Sequence, residues 1–221
     1  VDGASVSPLC INAALQIYPD PDTLTQNLDR IAAAGFAWVR QAFPWSAIEP
    51  APGVYDWAPW DALVHAVATH PTGLELIAVI DDAPDWAIGS TPRSDAQATP
   101  PADPADLGRF AATLATRYGD RIDVYQIWDE PNLSSHWGGR DVNPAGYAAL
   151  LQAAAPAIRD ADEDALLLLA GLAPTTETGP RNLSDVRYLD ALYMLGAAPY
   201  FDVAAGKPYG FDSDPVTDPR L

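Results

Sequence analysis

The stretch VYQIWDEPNL, residues 124–133, starts as a strand and finishes in an unusual way. Val124, Tyr125, Ile127 and Trp128 suit a packed sheet, yet the run closes on Asp129 and Glu130, side by side, followed by Pro131 and Asn132. Burying a carboxylate is costly unless it is paired or solvated. Either the strand surfaces here, or the two acids are placed to do chemistry.

Outward from this stretch the chain repeats one rhythm: a short apolar run, a loop, then a helix of 3.6-residue spacing. Strands are predicted at 9–17, 36–43, 74–80, at the quoted stretch itself, at 165–172 and at 200–206. Helices are predicted near 22–34, with Leu24, Leu28 and Ile31 on one face, and from Pro59 through Leu63 and Val67. Asp103-Pro104 and Asn143-Pro144 open two more, since Asp or Asn at the cap and Pro at the first helical position are start signals. Pro156 lies inside the second of these and predicts a kink. A last helix is expected near 184–195.

Alternating strands and helices imply a parallel sheet, either open and doubly wound or closed as a (β/α)8 TIM-type barrel. An open nucleotide-binding sheet would carry a glycine-rich loop after its first strand, but this chain has IYPDPDT there. Polar and aromatic residues instead recur at the C-terminal ends of successive strands: Arg40 and Trp45, Asp81 and Trp86, Asp129 and Glu130, Lys207 and Tyr209. Barrel enzymes build their sites at that end, so the barrel is the better reading, with residues 1–221 as one domain. A full barrel takes about 250 residues, and DSDPVTDPRL after the sixth strand reads as a loop. The expectation is therefore a barrel cut short after about six βα units, or one whose missing strands come from a second fragment.

Composition narrows the partners. Thirty acids against 12 bases give a formal charge of −18, which argues against nucleic acid and anionic membrane surfaces as ligands. A neutral or cationic ligand fits better, although acidic surfaces also serve solubility alone. No apolar run reaches the length of a membrane span. Cys10 is the only cysteine, which excludes an internal disulfide and a cysteine-based zinc site. The N-terminus has no signal-peptide pattern, but a processed chain would look the same. Localisation stays open, with a secreted or extracytoplasmic setting preferred.

WDEPNL resembles the W-x-E-P-N or N-E-P signature that ends the fourth strand in the clan of retaining (β/α)8 glycoside hydrolases, clan A, which includes cellulases, β-xylosidases and β-galactosidases. Family 39-like members look most similar. GFAWVRQAFPWSAIEPAPGVYDWAPWDALV resembles the clan's second strand and loop, LIAVIDDAPDWA its third strand with Pro-x-Trp, and FDVAAGKPYGF its sixth, where His-x-Tyr is usual. The resemblance runs through essentially the whole chain. It implies hydrolysis of O-glycosidic bonds in a poly- or oligosaccharide by a retaining two-carboxylate mechanism, with no cofactor or metal.

Such cleavage needs a proton for the leaving oxygen and a second carboxylate on the opposite face of the sugar. Glu130 matches the acid/base. To donate near neutral pH it must hold its proton more tightly than a solvated carboxyl does, which apolar surroundings and a nearby anion both favour. The clan's nucleophile ends a seventh strand, which would lie outside this chain. Asp129 stands where the clan has asparagine; it is expected to bind sugar still, with altered selectivity.

By the same resemblance Arg40 would orient the nucleophile and Tyr209 would touch it. Lys207 replaces a histidine, and could bind an acidic sugar, pair with Asp129 or Glu130, or be a plain surface lysine. Trp45, Trp86 and Trp137 lie in strand-to-helix loops, as sugar platforms or as buried anchors. His136, beside Trp137, could line the site. Trp57, Trp60 and Trp128 read as packing, and His65 and His70 as surface residues off the spacing of a helical metal pair. Asn132 and Asn182 begin glycosylation sequons. A sugar-binding barrel without catalysis, or one part of a split protein, is the rival from another class. Substrate-assisted hydrolysis ranks lower, because its D-x-E pattern is absent.

Overall fold

Three helices start on the same local device. Asp20, Asp103 and Asn143 each precede a proline, and their side chains accept hydrogen bonds from the amides of Thr23, Ala105 and Gly146. The cap takes an amide that the first turn leaves unpaired, and proline has no amide to leave. The computed structural model describes residues 7–18, 20–90 and 96–209. Its elements follow in order: β1 (Cys10–Ala13), α1 (Pro21–Ala33), β2 (Trp38–Pro44), α2 (Trp45–Ile48), α3 (Ala58–Ala68), β3 (Glu75–Asp81), α4 (Pro104–Tyr118), β4 (Val124–Ile127), α5 (Pro144–Ala161), β5 (Leu166–Leu169) and α6 (Asp185–Met194). Among the described residues no helix is long and apolar enough to cross a membrane.

The five strands form one parallel sheet in the order β1-β2-β3-β4-β5. Side chains alternate across a strand, so the sheet has two chemically different faces. Val39, Phe43, Leu76, Ala78, Ile80, Tyr125, Ile127, Leu167 and Leu169 are buried on the helix side, with Leu28, Leu63, Phe110, Leu114, Leu151 and Ile158 in the same core. The other face carries Asn12, Arg40, Ile77, Gln126 and Leu168 around a cavity of about 340 Å³. α4 and α5 pack closely at Gly108, where an added Cβ would come within 2.7 Å of the Ala153 carbonyl oxygen.

Several strands are shorter than the sequence predicts, the fifth spanning only Leu166–Leu169 of 165–172, and two differ most. The first, expected over 9–17, ends at Ala13, because the Gln41 side chain takes the Leu15 amide (2.7 Å) and a 3-10 turn follows at Leu15–Ile17. The sixth, expected over 200–206, makes only two single bridges, Val203 to Leu168 and Gly206 to Leu172. There the Asp202 carboxylate accepts the Leu167 amide at 2.8 Å, replacing the backbone acceptor of a regular ladder. Among the described residues no strand continues the sheet beyond this segment. One surface expectation changes: His70 is buried, its ring nitrogens facing Thr72 and Asp29. The sequon Asn132 is fully buried, bonded to the backbones of Ala173 and Leu183. His65 is exposed, as expected.

One buried hydroxyl ties the strand ends together. Tyr147 of α5 donates to the Ile127 carbonyl and accepts from the Ala170 amide, both at 2.8 Å. Tyr147→Phe strands a buried carbonyl and a buried amide, so it should cost about 1–3 kcal/mol of unfolding free energy, read from the urea midpoint at unchanged slope.

Candidate active site

Beyond Ile127 the fourth strand stops behaving as a strand. Trp128 has φ 69° and Glu130 has φ 45°, left-handed values that cost a non-glycine residue on the order of 1–3 kcal/mol each. Trp128 is held there by burial, by its amide on the Ile80 carbonyl (2.8 Å) and by its indole N–H on the His136 carbonyl (2.9 Å). Its ring meets Trp137 edge-on with centroids 5.9 Å apart. In a regular strand adjacent side chains point to opposite faces. Here the left-handed residues break the alternation, and Asp129 and Glu130 turn to the same side.

Lys207 makes that arrangement electrostatically tenable. Its Nζ donates to Asp129 Oδ2 and to Glu130 Oε1, both at 2.8 Å. The lysine stem passes over Gly171, where a Cβ would come within 3.0 Å of Lys207 Cε. Arg40 completes the group from β2. Its Nη2 donates to Asp129 Oδ1 (2.8 Å), its Nε to Gln126 Oε1 (2.9 Å) and its Nη1 to Asn12 Oδ1 (3.1 Å). Gln126 in turn donates to the Trp128 carbonyl (2.6 Å) and to Asp129 Oδ1 (3.2 Å). The four charged side chains are 15 to 21% exposed, too dry for the pairs to be incidental surface contacts and still open to a ligand.

His136 closes the far side. Its Nδ1 lies 3.5 Å from Glu130 Oε2 and 3.1 Å from Ser135 Oγ. Burial lowers its pKa below the usual histidine value, more than Glu130 and Asp129 raise it, and Lys207 adds to the lowering. The ring is therefore neutral at pH 7 and forms no ion pair with Glu130.

The structure thus gathers Arg40, Asp129, Glu130, His136 and Lys207 into one group, and Arg40 and Lys207 share the cavity lining with Tyr209. The tryptophans behave differently. Trp45 is fully buried, stacked on Phe110 at 5.4 Å with its indole N–H on Glu49 (2.6 Å), and Trp137 is only 5% exposed. Neither presents a ring face to a ligand, which corrects the platform reading. Trp86 is half-buried, its N–H on the Glu49 carbonyl and the Arg109 guanidinium 5.5 Å from its ring centre. The buried anchor is Glu49, which accepts from Trp45, Gly53 and Arg109. Trp60 and Trp128 are core residues and Trp57 packs against the core through Phe110 and Tyr118, as expected. Among the described residues no cluster of His, Cys, Asp and Glu could hold a metal ion.

Sequence reading passed over Asn12 and Gln126, and gave Asp81 no role beyond its strand-end position. The first two were visible as lone amides inside apolar strands, CINA and VYQI. Asp81 ends β3, where alternation places it on the face of Ile77 and Arg40. Burial pushes its carboxyl up from 3.8 to about 7, with Asp82 and Asp129 adding to the rise and Arg40 opposing it.

A parallel βα sheet with one hydrophobic and one polar face, and charged side chains gathered where its strands end, has the layout of part of a (β/α)8 barrel, a fold that builds its sites at that end. Comparison with known proteins agrees. Residues 18–101 match the β-galactosidase family, glycoside hydrolase family 42. A family 39 glycoside hydrolase from Bacteroides cellulosilyticus superposes with a TM-score of 0.65 at 22% identity, over 90% of this chain and 38% of its own. A family 39 β-xylosidase from Caulobacter crescentus gives 0.62 at 21% identity, over 93% and 47%. A β-galactosidase from a psychrophilic Marinomonas gives 0.62 at 15% identity, over 96% and 42%. The chain therefore spans about two fifths to one half of these structures. No curated protein matches its sequence. The clan A resemblance read from WDEPNL, the partial family match and the fold point to the same relationship.

The raised Asp81 carboxyl has a consequence for stability. The folded state binds its proton up to about pH 7, whereas the unfolded chain releases it near 3.8, so this group's contribution is full below 3.8 and lost as pH rises through 7. Asp81→Asn should remove that downward trend, leaving the variant's urea midpoint above the wild type's at pH 8 and the two closer at pH 4.

Proposed function

We propose that residues 1–221 carry the acid/base half of a retaining glycosidase centre, with Glu130 as the acid/base and the nucleophilic carboxylate supplied from outside these residues. The observation that supports this most is the placement of Glu130. It sits at the C-terminal end of β4, half-buried, turned by a left-handed backbone to share Lys207 with Asp129. In the first step Glu130 would protonate the leaving oxygen while the second carboxylate attacks the anomeric carbon; in the second it would deprotonate the incoming water.

Donation requires that the Lys207–Glu130 contact give way when sugar enters, with Lys207 staying on Asp129. Asp129, bonded to Arg40 and Gln126, is left as an acceptor for a sugar hydroxyl. The substrate class is a β-glycoside, since the matched families and folds are named for β-galactosidase and β-xylosidase activity. A second reading, sugar binding without catalysis, draws on the same lysine, whose ammonium at 2.8 Å occupies a Glu130 oxygen that an acid would need to turn toward the leaving group.

The complete gene product containing residues 1–221 separates the two. Assayed on 4-nitrophenyl β-xyloside and β-galactoside and on the corresponding disaccharides, it should hydrolyse at least one pair. Glu130→Gln should lose about a hundredfold or more on the disaccharide, and far less on the nitrophenyl glycoside, whose leaving group needs no proton. Binding without turnover would favour the second reading. An unimpaired Glu130→Gln enzyme would remove Glu130 from the mechanism.

A further inference from the structure

The two carboxyl oxygens of Glu130 face different groups. Oε1 accepts from Lys207 Nζ at 2.8 Å. Oε2 looks the other way, toward His136 Nδ1 at 3.5 Å. Donation from Glu130 requires the lysine to let go of Oε1, and a carboxyl released on one side is free to rotate. A proton passes only while the donor stays aimed within hydrogen-bond reach of the leaving oxygen. The group at Oε2 therefore decides whether the acid keeps its heading.

The backbone builds His136 into that place. The Leu133 amide donates to the Glu130 carbonyl and the His136 amide to the Leu133 carbonyl, both at 3.0 Å. The chain thus leaves Glu130 in two successive turns and comes back to it six residues later. Other segments clamp the returning turn. The Trp128 indole N–H donates to the His136 carbonyl (2.9 Å), the Ser134 amide to Asn182 Oδ1 (3.0 Å), and the Gln97 amide to the Ser135 carbonyl (2.7 Å). Trp128 is also one of the left-handed residues that turn Glu130 toward Asp129, so one side chain fixes both members of the pair. The His136 and Glu130 side chains are 12 and 15% exposed, dry enough that bulk water does not replace the contact.

The ring sets the direction of the bond. Burial outweighs the anions of Glu130 and Asp129, Lys207 works with it, and the imidazole stays uncharged with a single N–H. At Nδ1 that N–H faces Glu130 Oε2, with Ser135 Oγ beside it at 3.1 Å. At Nε2 it would leave a nitrogen lone pair against the carboxylate. A separation of 3.5 Å is long for a hydrogen bond, and catalytic contacts of this kind tighten when substrate fills the site.

We infer that His136 is a positioning residue for Glu130: its Nδ1–H holds Oε2 and leaves Oε1, the oxygen under Lys207, to exchange the proton with the glycosidic oxygen. The proton leaves Oε1 as the glycosidic C–O bond breaks and returns to it from the attacking water, while the His136 N–H stays in place. This rests on the acid/base reading of Glu130, and adds to it which oxygen carries the proton and what keeps it aimed.

The test compares leaving groups in the complete gene product. A disaccharide needs the proton and a 4-nitrophenyl glycoside does not, so a misaimed Glu130 lowers kcat/KM for the first and spares the second. His136→Phe and His136→Ala both remove the donor. Each should lose about tenfold or more on the disaccharide, as for a hydrogen bond to a charged group, with the nitrophenyl glycoside nearly unaffected. His136→Asn, whose amide reaches the Nδ1 position, should recover most of that loss. Equal losses on both substrates would mark a purely structural role and overturn the inference. Unchanged disaccharide activity would overturn it too, as would an Asn variant no better than the donorless pair. An unimpaired Glu130→Gln enzyme, or a wild type that hydrolyses neither kind of glycoside, removes the acid/base reading itself, and the inference falls with it.

Discussion

Two carboxylates adjacent in sequence share one ammonium at 2.8 Å each, and the chemistry of this end of the sheet depends on that contact. Neighbouring residues of a strand cannot ordinarily do this, since their side chains leave opposite faces. The left-handed conformations of Trp128 and Glu130 make it possible. That strain is held down by groups with no part in the chemistry: the buried Trp128 indole on the His136 carbonyl, Trp137 against its edge, and Tyr147 pinning the carbonyl just before it. Strained backbone at a charged, half-buried site is a pattern that functional centres share.

The balance of charge around those carboxylates is close. Arg40 and Lys207 offset Asp129 and Glu130, and burial keeps His136 neutral. Asp81 is the acid left over. The polar amides Asn12 and Gln126 do the quieter work of fixing Arg40, so that its guanidinium meets Asp129 in one orientation. Such a network specifies geometry when all of its members are satisfied.

The fold around this group is held from the other face. Helices capped at Asp20, Asp103 and Asn143 lay apolar stripes against alternate residues of the strands, and α4 meets α5 at a glycine because nothing larger fits. The polar face is thereby free of any structural duty to exclude water. The sheet can place Asn12, Arg40 and Gln126 there without losing its core.

Much of this was legible in the residues alone. Alternating apolar runs and capped helices determined a parallel βα sheet, because periodicity and capping are local properties of a chain. WDEPNL pointed to Glu130 and Asp129, and the strand-end positions to Arg40 and Lys207, because a polar residue closing an apolar run is visible without a fold. What needed the tertiary structure was every statement about who faces whom. Trp45 and Trp137 could be platforms or anchors in sequence; in the fold one stacks on Phe110 and the other meets Trp128 edge-on, contacts with residues 65 and nine positions away. His70 reads as surface in sequence, yet it is buried, its ring facing Asp29 41 positions away. The sixth strand fades because the Asp202 side chain takes a backbone position. Local patterns tell which element a residue joins; its burial and its ionic partners depend on chain segments brought together only by folding.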